Sequence, residues 1–102
     1  MIKLTVLYGP PTDPAAFDEH YQDVHAPLAR KIPGLARFEA GTVSTLDGSD
    51  PPYHLMAQLW FDDMDAFAAG MGSPEGAAAA ADIENLASGG VTTLMSEVDP
   101  TP

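Results

Sequence analysis

The sequence predicts an α+β domain whose elements run βαββαβ, with a four-stranded antiparallel sheet and helices on one face. Three observations carry that prediction. Period-two alternation recurs in short stretches at residues 2–8, 35–45, 53–61 and 91–98. Helical spacing fills the first and third of the intervals between them. Clusters of Gly, Pro, Asp and Ser punctuate the junctions.

Each element follows from its residues. Ile2, Leu4, Val6 and Tyr8 share one face of the first strand, and Lys3, Thr5 and Leu7 the other. Gly9, Pro10 and Pro11 end it, since prolines cannot serve a central ladder. Thr12 or Asp13 can cap the first helix, with Pro14 at its first position, where a missing N–H costs nothing. Phe17, Tyr21, Val24 and Leu28 then recur as a buried helical stripe. Pro27 cannot donate to residue 23 and disfavours the αR region at Ala26. The helix is therefore expected to end or kink near Val24 to Ala26 and to resume as a short turn through Lys31. Ile32, Pro33 and Gly34 close that turn.

In the second strand, Leu35 to Thr45, Phe38, Ala40 and Thr42 alternate with Arg37, Glu39 and Val43. Residues 47–52, DGSDPP, form a loop. The third strand, Tyr53 to Phe61, carries Tyr53, Leu55, Ala57, Leu59 and Phe61 on one face and His54, Met56, Gln58 and Trp60 on the other. Asp62 or Asp63 caps a second helix bearing Met64, Phe67 and Ala68, which Gly70 and Gly72 interrupt. Ser73, Pro74 and Glu75 restart it as a cap, a first-position proline and a first-turn acid. Ala77 to Ala81 has high helix propensity, Ile83 and Leu86 supply apolar contacts, and Ser88, Gly89 and Gly90 stop the helix. Val91 to Val98 is the last strand, and Asp99 to Pro102 a tail expected to fray. This is the ferredoxin-like split βαβ order. Helices cover one face only, so the other exposes either the Leu55, Leu59 and Phe61 row or the Met56 and Trp60 row. An apolar row of that size predicts a homodimer packed sheet against sheet.

At 102 residues the chain is one domain long. It has no cysteine, which excludes disulfides and thiol chemistry. Fifteen acids against four bases give a net charge of −11, which speaks against nucleic acid and anionic membrane surfaces as partners. The N-terminus lacks the pattern of a signal peptide, and no apolar run approaches a membrane span, so a cytoplasmic protein is expected.

The pattern Tyr21-x3-His25-x-Pro27-Leu28-x2-Lys31-Ile32-Pro33-Gly34-Leu35 covers the helix break. Later come Ser73-Pro74-Glu75-Gly76 and Ala80-Ala81-Asp82-Ile83-x-Asn85-x-Ala87-x-Gly89-Gly90-Val91-Thr92. With these the chain resembles the EthD family over nearly its whole length, and the late segment is the more specific part. The resemblance implies the dimeric α+β barrel fold shared with small monooxygenases, muconolactone isomerase and polyketide cyclases. It also implies a small-molecule role in degradation or aromatic-polyketide metabolism, with oxidoreductase, decarboxylase, dehydratase and cyclase activities among relatives.

Among residues that could carry chemistry, His25 comes first. It titrates near neutral pH, lies one turn after Tyr21, and sits where Pro27 frees backbone groups. The resemblance places it on the family's recurrent histidine. Two roles are open to it: a general acid or base facing a pocket, or a structural ring bonded to a freed carbonyl. His54 and Tyr21 are the further catalytic candidates, polarising a carbonyl or enolate oxygen. If the His54 face meets the helices, Met56 and Trp60 join Tyr8, Phe17 and Leu28 in lining a substrate pocket. If it meets a partner subunit, they are interface residues; the pocket is the favoured reading. His20 is expected to be solvated or at the edge of the stripe. The five-residue spacing of His20 and His25 does not present two metal ligands on one helical face. No nucleotide-binding glycine motif occurs, so neither a metal nor a cofactor is expected. The residues suit a cofactor-independent oxidoreductase, lyase or cyclase acting on an apolar or aromatic metabolite by histidine acid/base chemistry. They equally suit a non-catalytic small-molecule-binding protein of a degradation pathway.

Overall fold

A computed structural model describes residues 1–99 of the chain; the end of the expected tail, residues 100–102, lies outside the described residues. The strands are β1 (Ile2–Tyr8), β2 (Leu35–Thr42), β3 (Leu55–Phe61) and β4 (Val91–Glu97). They form one antiparallel sheet in the order β2-β3-β1-β4. The first crossover holds α1 (Pro14–His20), a π-helical turn (Tyr21–His25) and α2 (Ala26–Arg30). The second holds α3 (Met64–Met71), α4 (Pro74–Asp82) and two 3₁₀ turns, Ile83–Asn85 and Ala87–Gly89. This is the α+β ferredoxin-like arrangement that the element order predicts, with β1 at its expected bounds and the other three strands one to three residues shorter.

Register decides which sheet face meets the helices. Leu4 pairs with Leu59, Val6 with Ala57 and Tyr8 with Leu55, and all six side chains are buried. They form the core with Phe17, Tyr21, Ala26, Ile32, Phe61, Ala79 and Leu86. The helix face is thus the Leu55, Ala57, Leu59 and Phe61 row. Met56 and Trp60 lie on the opposite, open face, where Met56 pairs with Leu7 and Trp60 with Lys3. Leu94 shares that face through its pairing with Thr5.

Local chemistry selects the helix starts. Asp13 caps α1 through the N–H of Ala16, Asp63 caps α3 through that of Ala66, and Ser73 caps α4 through that of Gly76. Helix α4 packs closely after α3 because Gly76 has no side chain: a Cβ there would lie 2.3 Å from the Gly70 carbonyl oxygen. That approach fixes the line of α4 and the place of Asp82 at its end.

The first crossover departs from the expected break. Pro27 neither ends the helix nor displaces Ala26, which keeps φ −60° and ψ −42°. The N–H of Ala26 instead donates to the Tyr21 carbonyl, five residues back, so one wide π turn replaces the break. The wide turn advances the phase of everything after it. The buried stripe runs Phe17, Tyr21, His25, Ala26, Ala29, Ile32, while Val24 is 40% exposed and Leu28 only half-buried. A straight α-helix would bury Val24 and Leu28, as the apolar spacing predicts.

Candidate functional site

The π turn rotates His25 inward, where the ring is 6% exposed and faces the end of α4. Asp82 meets it there, itself 8% exposed. Three side chains donate to this carboxylate. His25 Nδ1 is 2.9 Å from Oδ2, and Asn85 Nδ2 is 2.9 Å from Oδ1. His20 Nε2 lies 2.9 Å from Oδ1 and 3.0 Å from Oδ2. Burial pushes the Asp82 carboxyl up, but the hydrogen bonds from Asn85, His20 and His25 outweigh it and hold its pKa below the ordinary carboxylate value. An ionised carboxylate only accepts, so it assigns the His25 ring proton to Nδ1 and leaves Nε2 bare. The Tyr8 hydroxyl is 3.4 Å from that nitrogen. Burial raises the Tyr8 pKa, so its O–H remains a donor.

The His25 pKa is lowered. Burial pushes it down, Asp82 pushes it back up through its hydrogen bond and charge, and His20 adds a smaller downward push. A neutral imidazole with a bare Nε2, oriented by a carboxylate, is the arrangement of a general base. Two imidazoles and a carboxylate also suggest metal ligation, but the ring nitrogens at Asp82 act as its donors. Among the described residues no group of three is arranged to hold a metal ion.

Two spaces adjoin the pair. A small chamber of about 40 Å³ is lined by Tyr8, Tyr21, His25, Phe38 and core aliphatics, room for little more than a water. A wider cleft of about 310 Å³ opens between the first helical crossover and β2, lined by residues including Tyr21, Ala26, Arg30, Phe38, Thr42 and Leu55. Tyr21 and Phe38 line both spaces. The Tyr21 hydroxyl is buried with no hydrogen-bond partner in the protein. Burial pushes its pKa up to about 12, with Arg30 pulling the other way.

The structure brings Tyr8, Phe17, Tyr21 and His25 into one cluster, and places His54, Leu28, Met56 and Trp60 outside it. His54 holds Asp18, with Nε2 2.7 Å from Oδ1, and packs edge-on against Phe17. Phe17 stacks on Tyr21 and supports it from behind. Leu28 packs on the core periphery because the π turn moves it off the stripe. Met56 and Trp60 do not line the helix-side spaces, because strand alternation points them to the open face; the Arg37 guanidinium covers Trp60 there at 5.0 Å. His20, expected to be solvated or at the edge of the stripe, lies at that edge, 30% exposed, as the second imidazole on Asp82. Asp82 and Asn85 are absent from the sequence-based site. One signal could have found Asp82: it falls in helical phase with Ala79 and Leu86, so it is an acid on a buried face.

Residues 9–90 match the EthD domain. The chain belongs to the EthD family. A Rhodococcus erythropolis protein of 11.0 kDa, from the thcB–thcC intergenic region, is 47% identical over 97 residues, covering 95% of this chain and 94% of that one. The crystal structure of an EthD family protein from Bacillus halodurans is 36% identical, with a TM-score of 0.90 over 97% of this chain and 99% of that one. More distant structures share the fold. A dimeric ferredoxin-like protein from Thermobifida fusca has TM-score 0.74 at 20% identity, covering 95% of this chain and 90% of that one. SnoaB, a cofactor-independent oxygenase from Streptomyces nogalater, has TM-score 0.68 at 18% identity, covering 98% and 94%. Among the described residues no helix is long and apolar enough to cross a membrane.

The titration of His25 tests this electrostatic account. Asp82→Asn removes the carboxylate charge that raises the His25 pKa, so His25 should titrate lower than in the wild type when its ring resonances are followed by NMR. An unchanged or higher value contradicts it. Because the folded pKa of His25 is depressed, the unfolded chain binds more protons just below the unfolded value of about 6.5. Urea stability should therefore fall as pH drops from 6.5 toward the folded value. Asp82, depressed from 3.8, adds a second loss at more acidic pH.

Proposed function

We propose that the chain is a cofactor-independent enzyme acting on an apolar or aromatic small molecule, with His25 as its general base. The observation that supports this reading most is the buried Asp82–His25 pair, with Nε2 beside the Tyr8 hydroxyl and both residues lining the chamber. The 310 Å³ cleft has the size of a small-molecule site and mixes apolar residues with a few polar groups.

The chemistry begins at carbon. The chamber at His25 holds little more than a water, so Tyr21 and Phe38 must move for a ligand in the cleft to present a C–H bond next to a carbonyl to His25 Nε2. The nitrogen takes the proton, and the C–H electron pair moves into the carbonyl as an enolate. Asp82 stabilises the imidazolium that forms, and the Tyr8 or Tyr21 hydroxyl donates to the enolate oxygen. His25 then returns the proton to a leaving group or to carbon. Cyclisation, dehydration and decarboxylation proceed from such a carbanion, and oxygenation does so with dioxygen as co-reactant. The likeness in fold to SnoaB agrees with chemistry that needs no cofactor.

The chain is also proposed to work as a homodimer through its open sheet face. Leu7, Met56, Trp60 and Leu94 share that face, Leu94 is 55% exposed, and similar ferredoxin-like proteins are dimeric. Light scattering should give twice the chain mass for the wild type and a shift toward monomer for Leu94→Asp. A monomeric wild type rejects the dimer.

For the reaction, the test is deuterium exchange at the α-carbon of aryl ketones in D₂O, followed by NMR. His25→Ala should lose roughly 100-fold or more in rate and Asp82→Asn a smaller factor, with folding checked by circular dichroism. Exchange that survives in folded His25→Ala rejects the base and favours the alternative reading, a non-catalytic binding protein of a degradation pathway.

A further inference from the structure

Four features of the cleft bear on what it takes. Its lining includes the aromatic rings of Tyr21 and Phe38, with Leu55 and Ala26. Its outer wall carries Arg30, whose guanidinium is stacked over the Phe38 ring at 5.5 Å. That stack fixes a side chain that is otherwise exposed. The chain holds fifteen acids and four bases, yet Arg30 has no acidic partner among the described residues, whereas Arg37 pairs with Glu39. Asp18, the acid on the cleft wall, is turned to His54 instead.

The fourth feature is the Tyr21 hydroxyl, a donor in a residue only 4% exposed, with no partner in the protein. Buried hydroxyls find partners as a rule, and one left without a protein partner in a cleft wall points to a ligand oxygen. Tyr21 lines both spaces and couples electrostatically to Arg30 on one side and Tyr8 on the other. The polar groups therefore run in sequence inward, from Arg30 through Tyr21 to Tyr8 and His25, beside apolar walls.

We infer that the cleft selects a planar aromatic ligand carrying a carboxylate at one end and an oxygen substituent further in. Arg30 holds the carboxylate with its forked donors, the ring lies against the aromatic wall of Tyr21 and Phe38, and the Tyr21 hydroxyl donates to the inner oxygen. A single guanidinium in a chain of net charge −11 suits a monoanionic carboxylate and not a phosphate, which needs several cations. The inference rests on the reading of this cleft as the substrate mouth and adds the substrate class to it.

The experiment is calorimetric binding of three probes to the full chain: 6-hydroxy-2-naphthoate, its methyl ester, and 2-naphthoate. The acid should bind at least about tenfold more tightly than its ester, a preference that one charged, bidentate contact can supply. Arg30→Gln should erase the preference for acid over ester. Tyr21→Phe should erase the advantage of the hydroxy acid over 2-naphthoate and leave the acid-over-ester preference intact. Equal binding of acid and ester to the wild type, no binding by any of the three, or a preference that survives Arg30→Gln overturns the inference. These readouts need no turnover. Selective binding alongside an inert His25 would support the ligand class and reject only the catalytic reading.

Discussion

A buried carboxylate is the constraint on which the site depends. Asp82 sits at the end of α4, packed under the first crossover, where an unpaired charge would be costly. Its donors come from three segments: His20 at the end of α1, His25 in the π turn, and Asn85 in the following 3₁₀ turn. The same bonds that make the charge tolerable cross-link the two crossovers over a sequence separation of about sixty residues, 62 for His20 and 57 for His25. Removing one partner of such a pair typically costs about 3–5 kcal/mol, because the remaining charge stays buried. Structure and chemistry are therefore hard to separate here: the residue that holds the helices together also sets the tautomer of the histidine.

The π turn supplies the other half. Pro27 cannot donate a hydrogen bond, and a straight α-helix would leave a gap in its ladder at residue 23. Widening one turn keeps Ala26 helical and bonded to Tyr21, so the helix passes the proline without a break. The cost is one residue of phase. That residue moves Val24 out to solvent and turns His25 in, against the hydropathy of both. Such wide turns are often found where function overrides local packing preference. Here the outcome is an imidazole with the Tyr8 ring edge-on to it at 6.4 Å and the Tyr21 ring tilted against it at 5.2 Å, Tyr21 being backed in turn by Phe17.

Much of the fold was legible in the residues. Alternation in Ile2 to Tyr8 and Leu55 to Phe61 is strict because both strands are central and bury one face. The caps at Asp13, Asp63 and Ser73 were readable because a short acceptor before a helix satisfies its free N–H groups. Less of the site was legible. Periodicity assumes a constant 3.6 residues per turn, so it buried Val24 and Leu28 and could not foresee the phase shift. His54 looked like a pocket residue because it precedes the strand in alternation with Met56 and Trp60. In fact the chain turns there, with the His54 N–H bonded to the Tyr8 carbonyl and its ring taken by Asp18. Asp82 escaped notice because its partners lie near the other end of the chain, and only folding brings them to it.

The central claim is that burial keeps His25 neutral while Asp82 holds its one proton on Nδ1, leaving a bare Nε2 beside Tyr8. Long-range ¹H–¹⁵N correlation of the imidazole nitrogens at pH 7 measures this directly. The account predicts a protonated Nδ1 and an unprotonated Nε2 for His25 in the wild type. A doubly protonated ring, or a proton on Nε2 with Nδ1 bare, would contradict it.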